Sequence, residues 1–331
     1  MNSSAIPEGP GTAAGAPHLP EGFTGTFTSR YIDTGGLRQH VVTGGGGPPL
    51  LLVHGWPQTW YAWRLMMPAL AQNFALVTPD QRGCGLSGKP PGGYDTGTLA
   101  GDLVALMDAL GHRRFAVAGH DTGMWIGYAL AADHRDRVAC LAVAETPLPG
   151  VSPSPPLFAS SHVNDRLWHF AFNRLAEVNE QLVAGREEVY FGWQFASKAA
   201  KELPGYAVRY YVDTLAADPE ALHGSFAIYR ALDITIAQNQ QRKDRRLRMP
   251  VLAIGGAESL GDQVAATMKL AADDVQALAI RGCGHHPAEE APQATLTALT
   301  AFLAPYRDGL AAARNPGRPA AGSGSGRGMA G

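Results

Sequence analysis

The sequence predicts an α/β fold in which a mostly parallel, eight-stranded sheet is flanked by helices and carries one mainly helical insertion. Three observations predict it. Between residues 27 and 148, continuous apolar runs of strand length alternate with helical patterns, the signature of a parallel sheet covered on both faces. The alternation stops at a proline-rich exit, TPLPGVSPSPPLF, after which the chain to residue 245 reads as helical and rich in aromatics. It resumes with MPVLAIGG, so the helical block is an insertion between strands of one sheet, over the strand ends where open α/β sheets hold ligands.

Each element has its reason in order. FTSRYID and LRQHVVT read as a leading hairpin turned at Thr34-Gly35-Gly36. PLLLVHG is a buried strand followed by a helix over TWYAWRLMMPALAQ, and FALVTPD is a strand followed by a helix over TGTLAGDLVALMDALG. RFAVAGHD leads into the helix TGMWIGYALAADH, and VACLAVAE is the last strand before the insertion. Inside the insertion, DRLWHFAFNRLAEV, REEVYFGWQFASKAAKE and GYAVRYYVDTLA carry helical patterns. MPVLAIGG and VQALAIRG are strands, and QATLTALTAFLAPY is the closing helix. The expected core is therefore 23–148 with 246–311, and the expected cap is 149–245. Residues 1–22 and 312–331 are rich in Pro, Gly and Ala, offer little apolar surface to offset ordering, and are expected to be disordered tails.

Composition excludes several classes. The chain has 331 residues, 45% of them hydrophobic, enough to bury a large core. The net charge is −2, and the one basic run, Arg242 to Arg248, lacks interleaved aromatics. It reads as a solvated linker or helix end, and nucleic acid is not an expected partner. No stretch approaches the roughly 18 apolar residues of a membrane span, and the N-terminus lacks the basic start and apolar run of a secretory signal. Cys84, Cys140 and Cys283, an odd and sparse set, are expected to be free thiols in a reducing compartment. The expected protein is cytoplasmic, a monomer or a homodimer.

The chemistry gathers where strands end. Gly119-His120-Asp121-Thr122-Gly123 has the cadence of a nucleophile elbow, G-x-S-x-G, with aspartate in the serine's seat. A carboxylate there can displace a leaving group at a saturated carbon and remain as an alkyl ester. Alone, Asp121 could simply cap the helix that follows. It has company. In His54-Gly55-Trp56-Pro57 the backbone N–H of Trp56 is placed to form half of an oxyanion hole, and that of Thr122 offers the other half. Pro57 fits a cis bond that aims this loop. His285 follows the Gly282-Cys283-Gly284 turn after the last strand and is the candidate base, chosen over His286 because it directly follows that turn. The carboxylate that orients it is Glu145, at the end of the strand after the elbow, with Glu258 and Asp262 as alternatives. Adjacent histidines suit a single metal ion poorly, so neither a metal nor a cofactor is expected. Trp56, Trp125, Trp168 and Phe170 suggest an apolar or aromatic pocket.

With these pieces assembled, the chain resembles the α/β-hydrolase-fold epoxide hydrolases over nearly everything between residues 23 and 306. HGWPQTWYAWRLMMPAL, PDQRGCGLSGKP, AGHDTG, ETPLPG and GCGHHPAEEAP stand in that family's order. The resemblance is strongest to bacterial members whose triad acid follows the strand after the elbow, where Glu145 stands. It implies a His/Tyr pair in the cap that opens the ring, matching His169 in LWHFAFN and Tyr229 in SFAIYRALD. The implied activity is addition of water to a small-molecule epoxide to give a vicinal diol, through an ester on Asp121 hydrolysed by His285-activated water. A haloalkane or haloacid dehalogenase would use the same ester. Haloalkane dehalogenases, however, place a halide-binding Trp where this chain has Thr122, and fluoroacetate dehalogenases carry arginines where it reads Thr122-Gly123-Met124-Trp125. A non-catalytic small-molecule binding protein on this fold would need no matched nucleophile and base. His286 departs from the family's usual aromatic or apolar residue.

Overall fold

The computed structural model describes residues 9, 10, 12–154 and 160–314. Its strands are β1 (Gly9–Pro10), β2 (Phe27–Asp33), β3 (Arg38–Gly44), β4 (Pro49–Val53), β5 (Ala75–Pro79), β6 (Phe115–His120), β7 (Val138–Ala144), β8 (Val251–Gly256) and β9 (Val275–Ile280). They form one sheet in the order β1-β2-β3-β5-β4-β6-β7-β8-β9. β3 runs antiparallel to both β2 and β5, whereas the pairs from β5 across to β9 are parallel. β2 to β9 are the eight expected strands.

Every residue of β4 and β6 is buried, which is why both read as unbroken apolar runs. Alternate side chains serve opposite faces. Leu51, Val53 and Val117 pack with Leu103, Met107 and Met124 of the two helices on one side; Leu50, Leu52 and Ala118 pack with Trp60, Met67 and Leu299 on the other. Each such fully buried aliphatic side chain contributes about 1.5–3 kcal/mol.

Two expectations are corrected. The N-terminal tail is not wholly free: Gly9 and Pro10 pair with Ser29 and Thr28, Ala13 is buried, the Tyr61 hydroxyl donates to the Pro17 carbonyl, and His18 stacks on Tyr206 at 3.9 Å. Composition undervalued this tail because its partners are surfaces the rest of the chain has already built. The proline sits on an edge strand, where a missing N–H costs little. Residues 1–8, 11, 155–159 and 315–331 lie outside the described residues, as does most of the expected C-terminal tail; the closing helix runs Pro292–Arg314. The second correction is TWYAWRLMMPALAQ, which is a 3-10 turn, Trp60–Trp63, and a separate single-turn helix, Met67–Leu70. Thr59 accepts from Tyr61 N and Asp80 Oδ1 from Trp60 N, which fixes the first turn, and Pro68 prevents continuation through it.

Between β7 and β8 the described residues supply the helices Ser161–Asn173, Val178–Val183, Glu187–Lys198, Gly205–Ala216, Pro219–Arg230 and Leu232–Arg242. Arg242, read from sequence as part of a solvated run, is instead tucked in, bonded to Asp133 and Thr96. Cys84, Cys140 and Cys283 are free. Among the described residues no helix is long and apolar enough to cross a membrane.

The turn from β6 into the helix Thr122–Asp133 is tightly packed against the neighbouring strand end. A Cβ at Gly123 would lie 2.4 Å from the Val53 carbonyl oxygen and 2.5 Å from that of His54. Both obstacles are backbone, so neither can step aside. Gly123→Ala is expected to cost about 2–3 kcal/mol, read from urea unfolding of the two proteins side by side.

Candidate active site

Asp121 directly follows β6 with φ 51°, in the left-handed region that non-glycine residues avoid. Glu145, just beyond β7, has φ 69°; these are two of only four described non-glycine residues with positive φ. Such strain persists where the surroundings over-determine it, and it concentrates at functional sites. Asp121 does not cap the helix it precedes with its side chain; Oδ1 instead accepts from Trp56 N at 2.9 Å. The capping role, which the sequence left open, is thereby set aside. The Trp56–Pro57 peptide is cis.

His285 reaches this carboxylate from the loop after β9. Its Nε2 lies 3.4 Å from Asp121 Oδ2, and its Nδ1 lies 3.2 Å from Glu145 Oε2. Glu145 Oε1 accepts from Gly256 N at 2.5 Å, so the carboxylate is fixed from two sides. Glu258 and Asp262 are exposed, and Glu145 is the acid that meets His285. The loop itself is held by Glu290, a buried carboxylate that sequence reasoning passed over. It accepts from Gly284 N, His286 N, Ala200 N and Lys201 N at 2.8–3.1 Å, joining the His285 loop to the helical insertion. Its only signal was two adjacent glutamates in a largely apolar stretch.

Above the carboxylate lies an aromatic wall centred on Trp56. Its indole N–H donates to Ser225 Oγ at 2.7 Å, tying the core loop to the helix Pro219–Arg230. The His169 ring stacks on it at 5.3 Å, and the Tyr229 ring meets it edge-on at 5.3 Å. Phe170 and Trp125 both pack on Tyr229. Trp168, expected in this lining, points elsewhere: it is 39% exposed and packs on Phe172 and Tyr190. Successive helical side chains diverge by about 100°, and His169 holds the inward direction. Thr122 opens the helix, where first-turn N–H groups have no helical acceptor.

The electrostatics follow from crowding these groups away from water. Burial pushes the Asp121 carboxyl up, but the His285 hydrogen bond and the charges of His285, His120 and Lys198 together hold it well below the usual carboxylate range. Burial lowers His285, but its contacts with Asp121 and Glu145 outweigh that and raise it above the usual imidazole value. Burial, with the Asp121 charge, raises the Tyr229 phenol well above its ordinary range. His120, His285 and His286 bring ring nitrogens within 4.8 Å of one another. In that trio His120 Nε2 faces the His285 carbonyl oxygen at 2.6 Å and Nδ1 faces the Gln58 side-chain oxygen at 3.2 Å, so both of its ring nitrogens are already engaged by the protein.

The model of the alpha/beta hydrolase fold family matches residues 48–292. A soluble epoxide hydrolase from Corynebacterium sp. (strain C12) is 33% identical over 82% of this chain and 96% of its own length. The chain belongs to the α/β-hydrolase epoxide hydrolase family. This family member is also 30% identical to a fluoroacetate dehalogenase from Burkholderia sp, over 86% of the chain and 96% of that protein. Among solved structures, the epoxide hydrolase CorEH superposes with a TM-score of 0.79 at 31% identity, covering 85% of this chain and 100% of that one. Cfl2 from Burkholderia cenocepacia superposes with a TM-score of 0.81 at 36% identity, covering 84% and 96%.

Proposed function

We propose that this hydrolase adds water to an epoxide through a covalent ester on Asp121. The observation that carries the reading is the chain of contacts Asp121–His285–Glu145 beneath the Trp56 wall, with the nucleophilic carboxylate kept ionised. Asp121 Oδ2 attacks a ring carbon, the carbon–oxygen bond of the epoxide breaks, and its electron pair goes to the ring oxygen. Because attack comes from the sheet side, that oxygen departs toward the helical cap. There it must be met by a hydrogen-bond donor. Tyr229, kept protonated by burial, supplies one, and the His169 ring packs edge-on against it.

In the second half, His285 takes a proton from water and the resulting hydroxide attacks Cγ of Asp121. Charge then develops on Oδ1, which the Trp56 N–H already holds and which the Thr122 N–H is placed to share. Each such donor contributes on the order of 3 kcal/mol. Collapse breaks the bond from Cγ to the ester oxygen, which takes back the proton held by His285, and releases the diol.

Charge accounting favours this order of events. In the free protein, Asp121 and Glu145 both raise His285. Esterification removes the Asp121 charge, so the His285 pKa falls and the ring is neutral when water must be activated. A neutral base is required, so ester hydrolysis is expected to rise with pH through a value below that at which His285 titrates in the free protein. Single-turnover hydrolysis rates against pH, compared with NMR titration of His285, test this; coincident values count against it.

The direct test of the function is a panel of styrene-type, aliphatic terminal and disubstituted epoxides with diol detection. Diol from any member supports the reading. Halide release from fluoroacetate or haloalkanes without diol from any epoxide transfers the same ester to a dehalogenase, and thermal stabilisation by epoxides without turnover leaves a binding protein.

A further inference from the structure

One charged side chain inside this site has no part in the scheme above. Lys198 is the last residue of the helix Glu187–Lys198 and is only 8% exposed. Its Nζ lies 3.3 Å from His169 Nε2 and 5.2 Å from the centre of the Trp56 ring. The negative charge that acts on it is that of Asp121. Burying an ammonium is expensive, and a lysine at a helix end ordinarily extends its flexible stem into water. Here the stem is held inward. The Lys198 carbonyl accepts from His285 N at 3.0 Å, and the next turn is pinned by Glu290 through Ala200 N and Lys201 N.

We propose that Lys198 is the second proton donor of ring opening, alongside Tyr229, and that His169 orients it. The proposal rests on the Asp121 ester reading. His169 is badly placed for the donor role that the family resemblance assigned it. Burial and the Lys198 charge keep the imidazole neutral, and its Nε2 faces the ammonium, which has protons to give and no lone pair to accept one. The imidazole is therefore the acceptor of this contact. One N–H of Lys198 is spent on His169 and the others remain for a substrate oxygen beside Trp56.

Ring opening moves one negative charge from Asp121, on the sheet, to the epoxide oxygen, on the cap side. A cation on the cap side gains more from the transition state than from the ground state, which is the condition for accelerating the step. The step balances. Asp121 Oδ2 forms a bond to carbon, the epoxide carbon–oxygen bond breaks, an N–H of Lys198 breaks as the O–H forms, and a neutral amine remains to be reprotonated by water before the next turnover.

The groups facing Lys198 are Asp121, which favours its charge; Arg166, which opposes it; and His169 and His286, whose own protonation its charge suppresses. Burial outweighs the attraction of Asp121 and brings the ammonium from 10.5 down to about 8. It is thus charged at neutral pH and loses its proton as pH rises through that value.

The test uses the full chain carrying His285→Gln, which isolates ester formation, with styrene oxide as probe and quenched-flow intact mass as readout. Adding Lys198→Met is expected to slow ester formation about 10²–10³-fold at pH 7. It should also abolish the decline in rate above about pH 8 that is expected of the Lys198-containing protein. Lys198→Arg should restore part of the rate and carry the decline to higher pH, which a purely structural role would not do. Thermal melts confirm folding; removing a buried charge should leave Lys198→Met at least as stable as the parent. An unchanged rate and pH profile in Lys198→Met overturns the proposal. So does a loss confined to epoxides bearing a carboxylate, with styrene oxide unaffected, which would make Lys198 an anchor for acidic substrates. If His285→Gln with Lys198 intact forms no ester at all, the underlying ester reading fails first, and this proposal with it.

Discussion

Asp121→Asn is expected to abolish diol formation, with a loss of about four orders of magnitude or more in kcat. The amide keeps the size and shape of the carboxylate and can still accept from Trp56 N, so the turn should survive and thermal melts should stay close to those of the parent. What disappears is the negative oxygen that His285 and its neighbours hold ionised. The isotope version of the same test needs no mutation. With labelled water and protein in excess over epoxide, the first turnover should leave the label in the Asp121 carboxylate and unlabelled oxygen in the diol, because water attacks the ester carbonyl and not the substrate. Label found wholly in the diol would sink the covalent route.

His285→Gln should act on the other half of the reaction. The oxygen that attacks the epoxide belongs to Asp121, and the histidine is required only when water must be deprotonated. Ester should therefore form and persist, adding the mass of one epoxide to the intact protein, while steady-state turnover falls by about 10⁴-fold or more. Unmodified protein that turns over normally would remove His285 from the mechanism. Glu145 makes a subtler third case, since it touches His285 and the Gly256 N–H but not Asp121.

The contrast between His285 and Glu145 shows how far the sequence could be read. His285 was legible because it follows a Gly-x-Gly turn after the last apolar run, a purely local signal. The choice among Glu145, Glu258 and Asp262 was not local. All three follow strand ends, and only the lateral order of β6, β7, β8 and β9, together with the reach of the His285 ring, brings one of them within 3.2 Å of it. Lys198 lies further from legibility. In REEVYFGWQFASKAAKE it reads as one of two lysines closing an amphipathic helix, and Lys201, three residues on, is exposed. Its inward course depends on the bond from His285 N to its carbonyl and on the Glu290 carboxylate that ties Lys201 to Gly284, about ninety residues away in the chain.

The N-terminal segment and the helix expected over TWYAWRLMMPALAQ failed for related reasons. Composition measures what a segment can bury against itself, whereas Ala13 is buried against, and His18 stacks on, surfaces supplied by others. Periodicity proposes a helix across Trp60–Leu70, but Asp80 and Pro68 impose two short turns instead.

By itself, then, the sequence determined the strand and helix pattern, the strained turn at Asp121 and the loops that carry Trp56 and His285, because each is written in contiguous residues through apolar periodicity and glycine placement. The tertiary structure alone decided which acid meets His285, which face of the helix Ser161–Asn173 turns inward to present His169 rather than Trp168, and that an ammonium stands beside that imidazole. Those are distances between segments remote in the chain, and they are set by how the helical insertion packs across the strand ends rather than by any residue's own neighbours.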